Sequence, residues 1–229
     1  MAANTAGQAD RLLANQSQPA ISSRGILRWV PSVLWILAAV LLVASILFPY
    51  WGMTLYAPQY PGGLSVRVFV NAMTGDEDPL MDEVREIDGL NHYIGMRPLG
   101  EAAQFERSIA IPAVIIFAVC LLIAALWRRK WAWLLVIPPL TFPAVFLGDL
   151  AYWLNNFGQN LDPAAPLSSA IHPFTPPVLG EGVVGQFRTV AHVDVGWFLA
   201  AGASVLILIA LAIYFWLARR AATVESSHA

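Results

Sequence analysis

The sequence predicts an all-α membrane protein with four transmembrane helices and a small α/β extracytoplasmic cap. Three observations predict this fold class: the composition, four long apolar runs, and folding signals in the two long polar segments between them. Of the 229 residues, 58% are hydrophobic and only 12% are charged, and the mean hydropathy is +0.61. Soluble globular domains carry about 25% charged residues. A large part of this chain is therefore expected to face lipid.

Four apolar runs each have roughly the 20 residues that a hydrocarbon core of about 30 Å requires. They predict transmembrane helices at residues 30–48, 109–127, 131–153 and 196–217. A cleaved signal peptide is the competing interpretation of the first run. We favour a retained anchor, because the run is longer than a typical signal core and no small-x-small cleavage pattern follows it.

Basic residues predict how the chain is oriented. They precede the first run, fill the turn between the second and third, and follow the fourth: Arg11, Arg24, Arg28, Arg128, Arg129, Lys130, Arg219 and Arg220. By the positive-inside rule, both termini and this turn are predicted to be cytoplasmic. Residues 1–29 are predicted to be a disordered cytoplasmic N-terminus and residues 218–229 a cytoplasmic tail. The polar segments 49–108 and 154–195 are then predicted to be extracytoplasmic.

Both polar segments contain folding signals. In the first, proline and glycine at residues 58–63 precede alternating apolar side chains over residues 64–70, which predicts a short strand. Asp78 and Pro79 then predict the start of a surface helix that ends at Gly89. In the second segment, five prolines between residues 162 and 185 exclude a long helix or a central strand and predict an extended path across the surface.

The stretch LNHYIGM at residues 90–96 contains the first candidate metal ligands. Gly95 and Pro98 limit any helix here to about one turn, so His92 and Met96 are expected to converge through a turn. An imidazole and a soft thioether together suit copper(I) better than hard cations. Met53 and His192 complete the predicted metal site. Further candidates lie in the same polar segments: Met73, Met81 and His172.

Structural roles for the same residues remain open at this point. Methionine readily fills irregular gaps in a core, and a histidine near an interface is commonly a hydrogen-bonding residue. Asn91 and Tyr93 offer further hydrogen bonds that would seal the loop onto the helices. Asp149, the one carboxylate inside a predicted span, is expected either to reach the headgroup region or to join a polar cluster. Arg107 and Arg188 are its candidate partners, and His192 and Asp194 the other candidate members of such a cluster.

Other functional classes find little support in the sequence. Cys120 is the only cysteine, which excludes an intrachain disulfide and a CxxC site. A net charge of −2 without a concentrated basic face argues against nucleic-acid binding. No histidine lies inside a predicted span, so paired axial haem ligands in the bilayer are not expected. GxSxG and HExxH motifs are absent, and four spans lack the repeated halves of a transporter. A non-enzymatic protein is favoured, although some membrane enzymes carry no such motif.

Three stretches resemble a known group of proteins. They are YAPQYPGGL at residues 56–64, LNHYIGM at 90–96, and NFGQNLDPAAPL at 156–167 followed by PFTPPVLGEG at 173–182. With these YPxGL, LNHYIGM and NLDPxAP signatures, the chain is similar over roughly residues 49–185 to bacterial four-span membrane proteins associated with copper handling. That group is linked in particular to maturation of the copper enzyme nitrous oxide reductase. The acidic insertion GDEDPLMDE at 75–83 departs from the group's pattern.

The resemblance implies a multi-pass protein of the bacterial inner membrane. Its implied function is that of an accessory factor for a periplasmic or membrane metalloenzyme, which binds or passes copper(I) on the outer face. The candidate ligands come from the residue types and not from the resemblance: His92 and Met96 would hold copper(I), with Met53 and His192 as further candidates. The alternative is a structural scaffold subunit of a respiratory or copper-enzyme membrane complex without a metal site. The lipid bilayer and a copper enzyme are the expected partners.

Overall fold

The computed structural model describes residues 28–76, 81–127 and 131–226, with side chains described as far as residue 220. Most of the predicted N-terminal segment, the basic turn at 128–130, the Asp78-Pro79 pair and the last three residues of the predicted tail lie outside this part of the chain. The helices are α1 (Val30–Ser45), α2 (Glu83–Ile94), α3 (Gln104–Leu126), α4 (Ile137–Gln159) and α5 (Val195–Ser226). The strands are β1 (Trp51–Ala57), β2 (Tyr60–Val68), β3 (Met73–Thr74), β4 (Gly180–Val184) and β5 (Phe187–Val193).

The prediction of an all-α fold with four transmembrane helices is wrong. The strands form a five-stranded antiparallel sheet in the order β3-β2-β1-β5-β4. Within the described residues, three helices are long and apolar enough to cross a membrane: Gln104–Leu126, which is α3; Ala132–Gln159, which is α4 with the 3₁₀ helix Ala132–Val136 that precedes it; and Val195–Arg220 in α5. The chain is therefore an α+β membrane protein, in which α1, α3, α4 and α5 form a bundle. We call the sheet together with α2 the cap.

The first apolar run gives a shorter helix than predicted. α1 has 16 residues, which corresponds to about 24 Å at 1.5 Å per residue, against a hydrocarbon core of about 30 Å. The Ser45 hydroxyl donates to the Leu42 carbonyl at 2.5 Å and lies 2.6 Å from the Tyr50 hydroxyl. These bonds hold the turn that leads from α1 into β1, so the helix ends before the apolar run does. The prediction missed this end because hydropathy does not record such local side-chain bonds.

Small side chains allow the helices of the bundle to approach closely. Ala38 in α1, Ala124 in α3 and Ala203 in α5 are all fully buried in one cluster. Helix interfaces in membranes favour such residues because they let the backbones come near each other. The Ser32 hydroxyl also donates across the bundle to the Ala125 carbonyl at 2.8 Å. α1 is thus a central packing element of the bundle despite its length.

The sheet is built from both polar segments. β1 lies at its centre, where Met53 is paired with Val66 of β2 on one side and Ala191 of β5 on the other. Trp51 and Met53 are buried on the face that packs against Leu154 of α4. The prediction missed β1 because it follows the first apolar run directly, and a tryptophan such as Trp51 is also common at membrane–water interfaces. It missed β5 because this strand begins only after the proline-rich stretch. Both segments therefore lie at the same end of the bundle.

The surface helix of the first segment begins and ends later than predicted. The Asp82 side chain accepts a hydrogen bond from the Arg85 amide at 3.2 Å and serves as the N-cap. The helix continues through Gly89 and ends at Gly95, which has a φ of 82°. The Met96 amide then donates to the Asn91 carbonyl at 2.8 Å, which is the pattern of a Schellman motif. Gly95, and not Gly89, is the stop signal.

Candidate functional site

A small apolar cavity lies between the sheet and the last two turns of α4. It has a volume of about 60 Å³, and Met53, Met73 and Met96 line it. We call it the methionine cavity. The rest of its wall consists of apolar side chains, namely Trp51, Val66, Val68, Leu99, Ala102, Leu150, Trp153, Leu154 and Phe157. A cavity of about 10–15 Å³ already holds one water molecule, so this space is large enough for a single ion.

Three separate segments bring the methionines together. Met53 occupies an inward position of β1, between Trp51 and Leu55 on the same buried face. Met73 is in β3 at the edge of the sheet. Met96 is the first residue after the left-handed turn at Gly95, and it is only 8% exposed. The thioethers thus come from the centre of the sheet, its edge and the end of α2.

His92 does not join this cavity. It is exposed on α2, and its ring lies 6.3 Å from the ring of its neighbour Tyr93. The Schellman motif explains the separation from Met96, because the chain leaves the helical path at Gly95. His92 keeps a helical position on the surface, whereas Met96 turns into the interior. The turn therefore separates the two side chains that the sequence was expected to bring together.

His192 lies on the opposite face of the sheet from Met53. It is the cross-strand partner of Gly52, and a Cβ at Gly52 would come within 3.0 Å of two of its ring atoms. Successive residues of a strand point to opposite faces, so Met53 faces α4 while the exposed His192 faces away from it. Of the four predicted ligands, the structure brings together only Met53 and Met96. Met73 is the third thioether of that group.

Harder metal ligands do not cluster in the described part of the chain. It contains no group of three or more histidine, cysteine, aspartate or glutamate side chains that could hold a metal ion. Three methionines and the side chains of Trp51 and Trp153 line the methionine cavity. This donor set excludes the oxygen-rich coordination that magnesium and calcium require. It suits a soft, singly charged ion such as copper(I).

A second cavity lies beside the first, between α3 and α4 under the β2–β3 edge. We call this cavity, of about 290 Å³, the lateral groove. Its interior is apolar, and Glu106, Arg107 and Asp149 lie among its lining residues. It shares part of its wall with the methionine cavity, at Val68, Met73, Ala102, Leu150 and Trp153. The two spaces are therefore neighbours separated by a few side chains.

The charged residues of the groove were only partly foreseen. Asp149 does not pair with Arg188, which instead binds Glu181 at 2.8 Å. Arg107, the other predicted partner of Asp149, lines the same groove. It donates through Nη2 to the Gly100 carbonyl at 2.5 Å. Glu106 was not among the predicted site residues. The sequence feature that could have identified Glu106 is its position one residue before Arg107, close to the start of an apolar run.

The chain was compared with known proteins by two routes. Neither protein-family models nor curated proteins gave a match to it. The function of the two cavities therefore has to be inferred from their own geometry and chemistry.

Proposed function

We propose that this chain is a non-enzymatic membrane accessory protein that holds copper(I) in the methionine cavity. The observation that carries this proposal is the convergence of Met53, Met73 and Met96 on one small apolar space. Thioether ligands select copper(I) over harder ions. The rings of Trp51 and Trp153 add a favourable surface for a cation, because tryptophan gives the strongest cation–π interactions.

The apolar wall also favours a single positive charge. Burial of an ion in such surroundings is costly unless ligands replace its lost hydration. A singly charged ion loses less hydration energy than a doubly charged one, and polarisable sulfur ligands compensate a soft ion best. The exposed His92 and His192 do not contribute to this site. The ligand set we propose is therefore Met53, Met73 and Met96.

The predicted location agrees with this role. Residues 128–130, which lie between α3 and α4 in the sequence, are all basic and are predicted by the positive-inside rule to be cytoplasmic. The cap lies at the opposite ends of these helices and is thus proposed to be extracytoplasmic, on the outer side of the bacterial inner membrane. A cysteine introduced at Tyr93, in a Cys120→Ser background, is expected to react with an impermeant reagent added from that side. Labelling only from the cytoplasmic side would contradict the orientation.

The resemblance to copper-handling proteins supports the same function. Two of its motifs contact each other in the cap: the Asp162 amide donates to the Gly95 carbonyl at 2.8 Å, and the Leu167 amide donates to the Tyr93 carbonyl at 3.0 Å. LNHYIGM and NLDPAAP thus form one structural unit beside the methionine cavity. The proposed partner is a periplasmic or membrane copper enzyme, such as nitrous oxide reductase, which would receive the ion.

Copper stoichiometry tests the proposal. The full-length protein is purified in detergent with excess copper(I) under reducing, oxygen-free conditions, and bound copper is measured by elemental analysis. We expect about one copper per wild-type chain and about tenfold weaker retention in Met53→Leu/Met96→Leu, since leucine keeps the volume but removes the sulfur. His92→Ala/His192→Ala is the matched control and should retain copper like the wild type. Equal retention by the leucine variant would contradict the proposal.

A structural scaffold is the second candidate function. Met53 and Met96 are only 8% exposed and pack into the hydrophobic clusters beneath the sheet, as methionines that merely fill gaps would. The protein would then support a respiratory or copper-enzyme complex through its cap without binding metal. The same measurement separates the two functions, because a scaffold retains no copper in the wild type.

A further inference from the structure

The lateral groove has features of a ligand site that the copper proposal does not use. Its volume of about 290 Å³ is close to the lower end of the range of about 300–1,000 Å³ for small-molecule sites. Ile109 and Val145, which line it, are 44% and 60% exposed. Both belong to helices that are long and apolar enough to cross a membrane. The groove therefore opens on a surface that lipid covers, and it has room for part of one acyl chain.

The interior of the groove matches such a chain. Phe117 and Ala113 contribute from α3, and Phe142 and Phe146 from α4. No charged side chain lies among these residues in the middle turns of the two helices. An apolar chain that enters from the bilayer would exchange lipid contacts for contacts with these rings. The fit of a chain alone would not distinguish one lipid from another, so selectivity has to come from the charged end.

The charged end has groups that the protein itself leaves unpaired. Glu106 and Asp149 form no ion pair with any residue that the structure describes. Arg107 uses one Nη for the Gly100 carbonyl, while its Nε is buried and has no hydrogen-bond partner within the described ranges. Nε1 of Trp153 is buried beside the Asp149 carboxylate. Buried polar groups normally have partners, so the buried Nε of Arg107, beside two half-buried carboxylates that form no ion pair with the described residues, points to a ligand.

We infer that the lateral groove binds a phospholipid with a primary ammonium headgroup, and that one of its acyl chains occupies the apolar interior. The ammonium would face the carboxylates of Glu106 and Asp149 and donate hydrogen bonds to them. The phosphate would face Arg107, since a guanidinium is well suited to phosphate oxygens. The inference does not depend on the copper proposal, because none of these charged groups lines the methionine cavity.

Charge complementarity predicts an order of preference among headgroups. Phosphatidylethanolamine offers both an ammonium with three donors and a phosphate. Phosphatidylcholine keeps the positive charge but has no N–H group to donate to the carboxylates. Phosphatidylglycerol has no cation and brings a net negative charge to the two carboxylates, which repel it. The groove is therefore expected to bind phosphatidylethanolamine most tightly, phosphatidylcholine less tightly and phosphatidylglycerol least tightly.

Native mass spectrometry of the delipidated full-length protein, titrated with dioleoyl forms of the three lipids, tests this inference. We expect about tenfold tighter binding of phosphatidylethanolamine than of phosphatidylglycerol in the wild type. Glu106→Gln/Asp149→Asn should reduce that preference to within about twofold. Ala113→Phe fills the groove and should lower occupancy by all three lipids. Ile116→Phe, at an exposed position of the same helix, is the matched control and should change nothing.

Several outcomes would overturn the inference. Equal binding of the three lipids by the wild type would show adventitious lipid only, and unchanged occupancy in Ala113→Phe would place the lipid elsewhere. The thermal unfolding midpoint of each variant checks its folding. If the double variant fails to fold, Glu106→Gln alone should still weaken the preference for phosphatidylethanolamine, and an unchanged preference there would contradict the inference. Met53→Leu/Met96→Leu should keep the wild-type lipid preference even if the copper proposal fails.

Discussion

Replacement of Gly95 by alanine is expected to destabilise the cap, whereas the same change at Gly89 in the same helix should stabilise it. Gly95 has a φ of +82°, and a Cβ there would lie 2.7 Å from the Asp162 carbonyl oxygen and 2.8 Å from its amide nitrogen. A left-handed conformation costs an ordinary residue about 1–2 kcal/mol, and the backbone at Asp162 must move as well. Gly89 has no atom within 4 Å of its Cβ position. Alanine in such a helix interior gains about 0.5–1 kcal/mol.

The two variants should therefore differ by about 2–3 kcal/mol in the free energy of unfolding. For a chain of this size, 1 kcal/mol corresponds to about 2–4 °C, so their unfolding midpoints should differ by about 4–12 °C. Tryptophan fluorescence, recorded in one detergent and at one scan rate, measures these midpoints. Gly95→Ala should also lower copper retention, because Gly95 directs Met96 into the methionine cavity. Equal midpoints for the two variants would refute the reasoning.

Two further changes probe the junction between the cap and the bundle. Burial raises the pKa of Tyr50 from its ordinary 10.0 to about 12, so the folded protein holds this proton more tightly than the unfolded chain does. The free energy of unfolding should fall as the pH rises between these two values, and Tyr50→Phe should remove this part of the fall in denaturant titrations. Gly158→Ala would drive a Cβ into the Phe174 carbonyl oxygen. It should lower the unfolding midpoint, whereas Gly148→Ala, in open space on the same helix, should not; equal midpoints would contradict this.

The transmembrane helices were the most predictable part of the fold. A run of about 20 apolar residues is a direct physical requirement of the bilayer, and the runs at 109–127, 131–153 and 196–217 each overlap a helix that meets it. The first run looks the same in the sequence. Its helix ends at Ser45, where the side chain bonds to Leu42 and to Tyr50, five residues further on. Local side-chain bonds of this kind leave no mark on hydropathy.

The sheet was far less predictable. β1 and β5 are neighbours in the sheet but are separated by most of the chain, and nothing local in either strand identifies its partner. The arrangement of the candidate metal ligands depended on the same long-range strand pairing. A shift of one residue in register moves a side chain to the other face, so the pattern alone could not place His192 opposite Met53. Met96 was a candidate from composition, but its inward direction depends on the left-handed turn at Gly95.

α4 connects the two cavities and the sheet through one side of a single helix. Asp149, Leu150 and Trp153 line the lateral groove, and Leu150, Trp153, Leu154 and Phe157 line the methionine cavity. These positions repeat at spacings of three and four, which places them on one helical face. A rotation of α4 by one residue, about 100°, would remove all of them from their sites at once. The packing of Leu154 and Phe157 under the sheet therefore fixes the orientation of Asp149 and Trp153 nearer the bilayer, and the fold of the cap determines the chemistry of the groove.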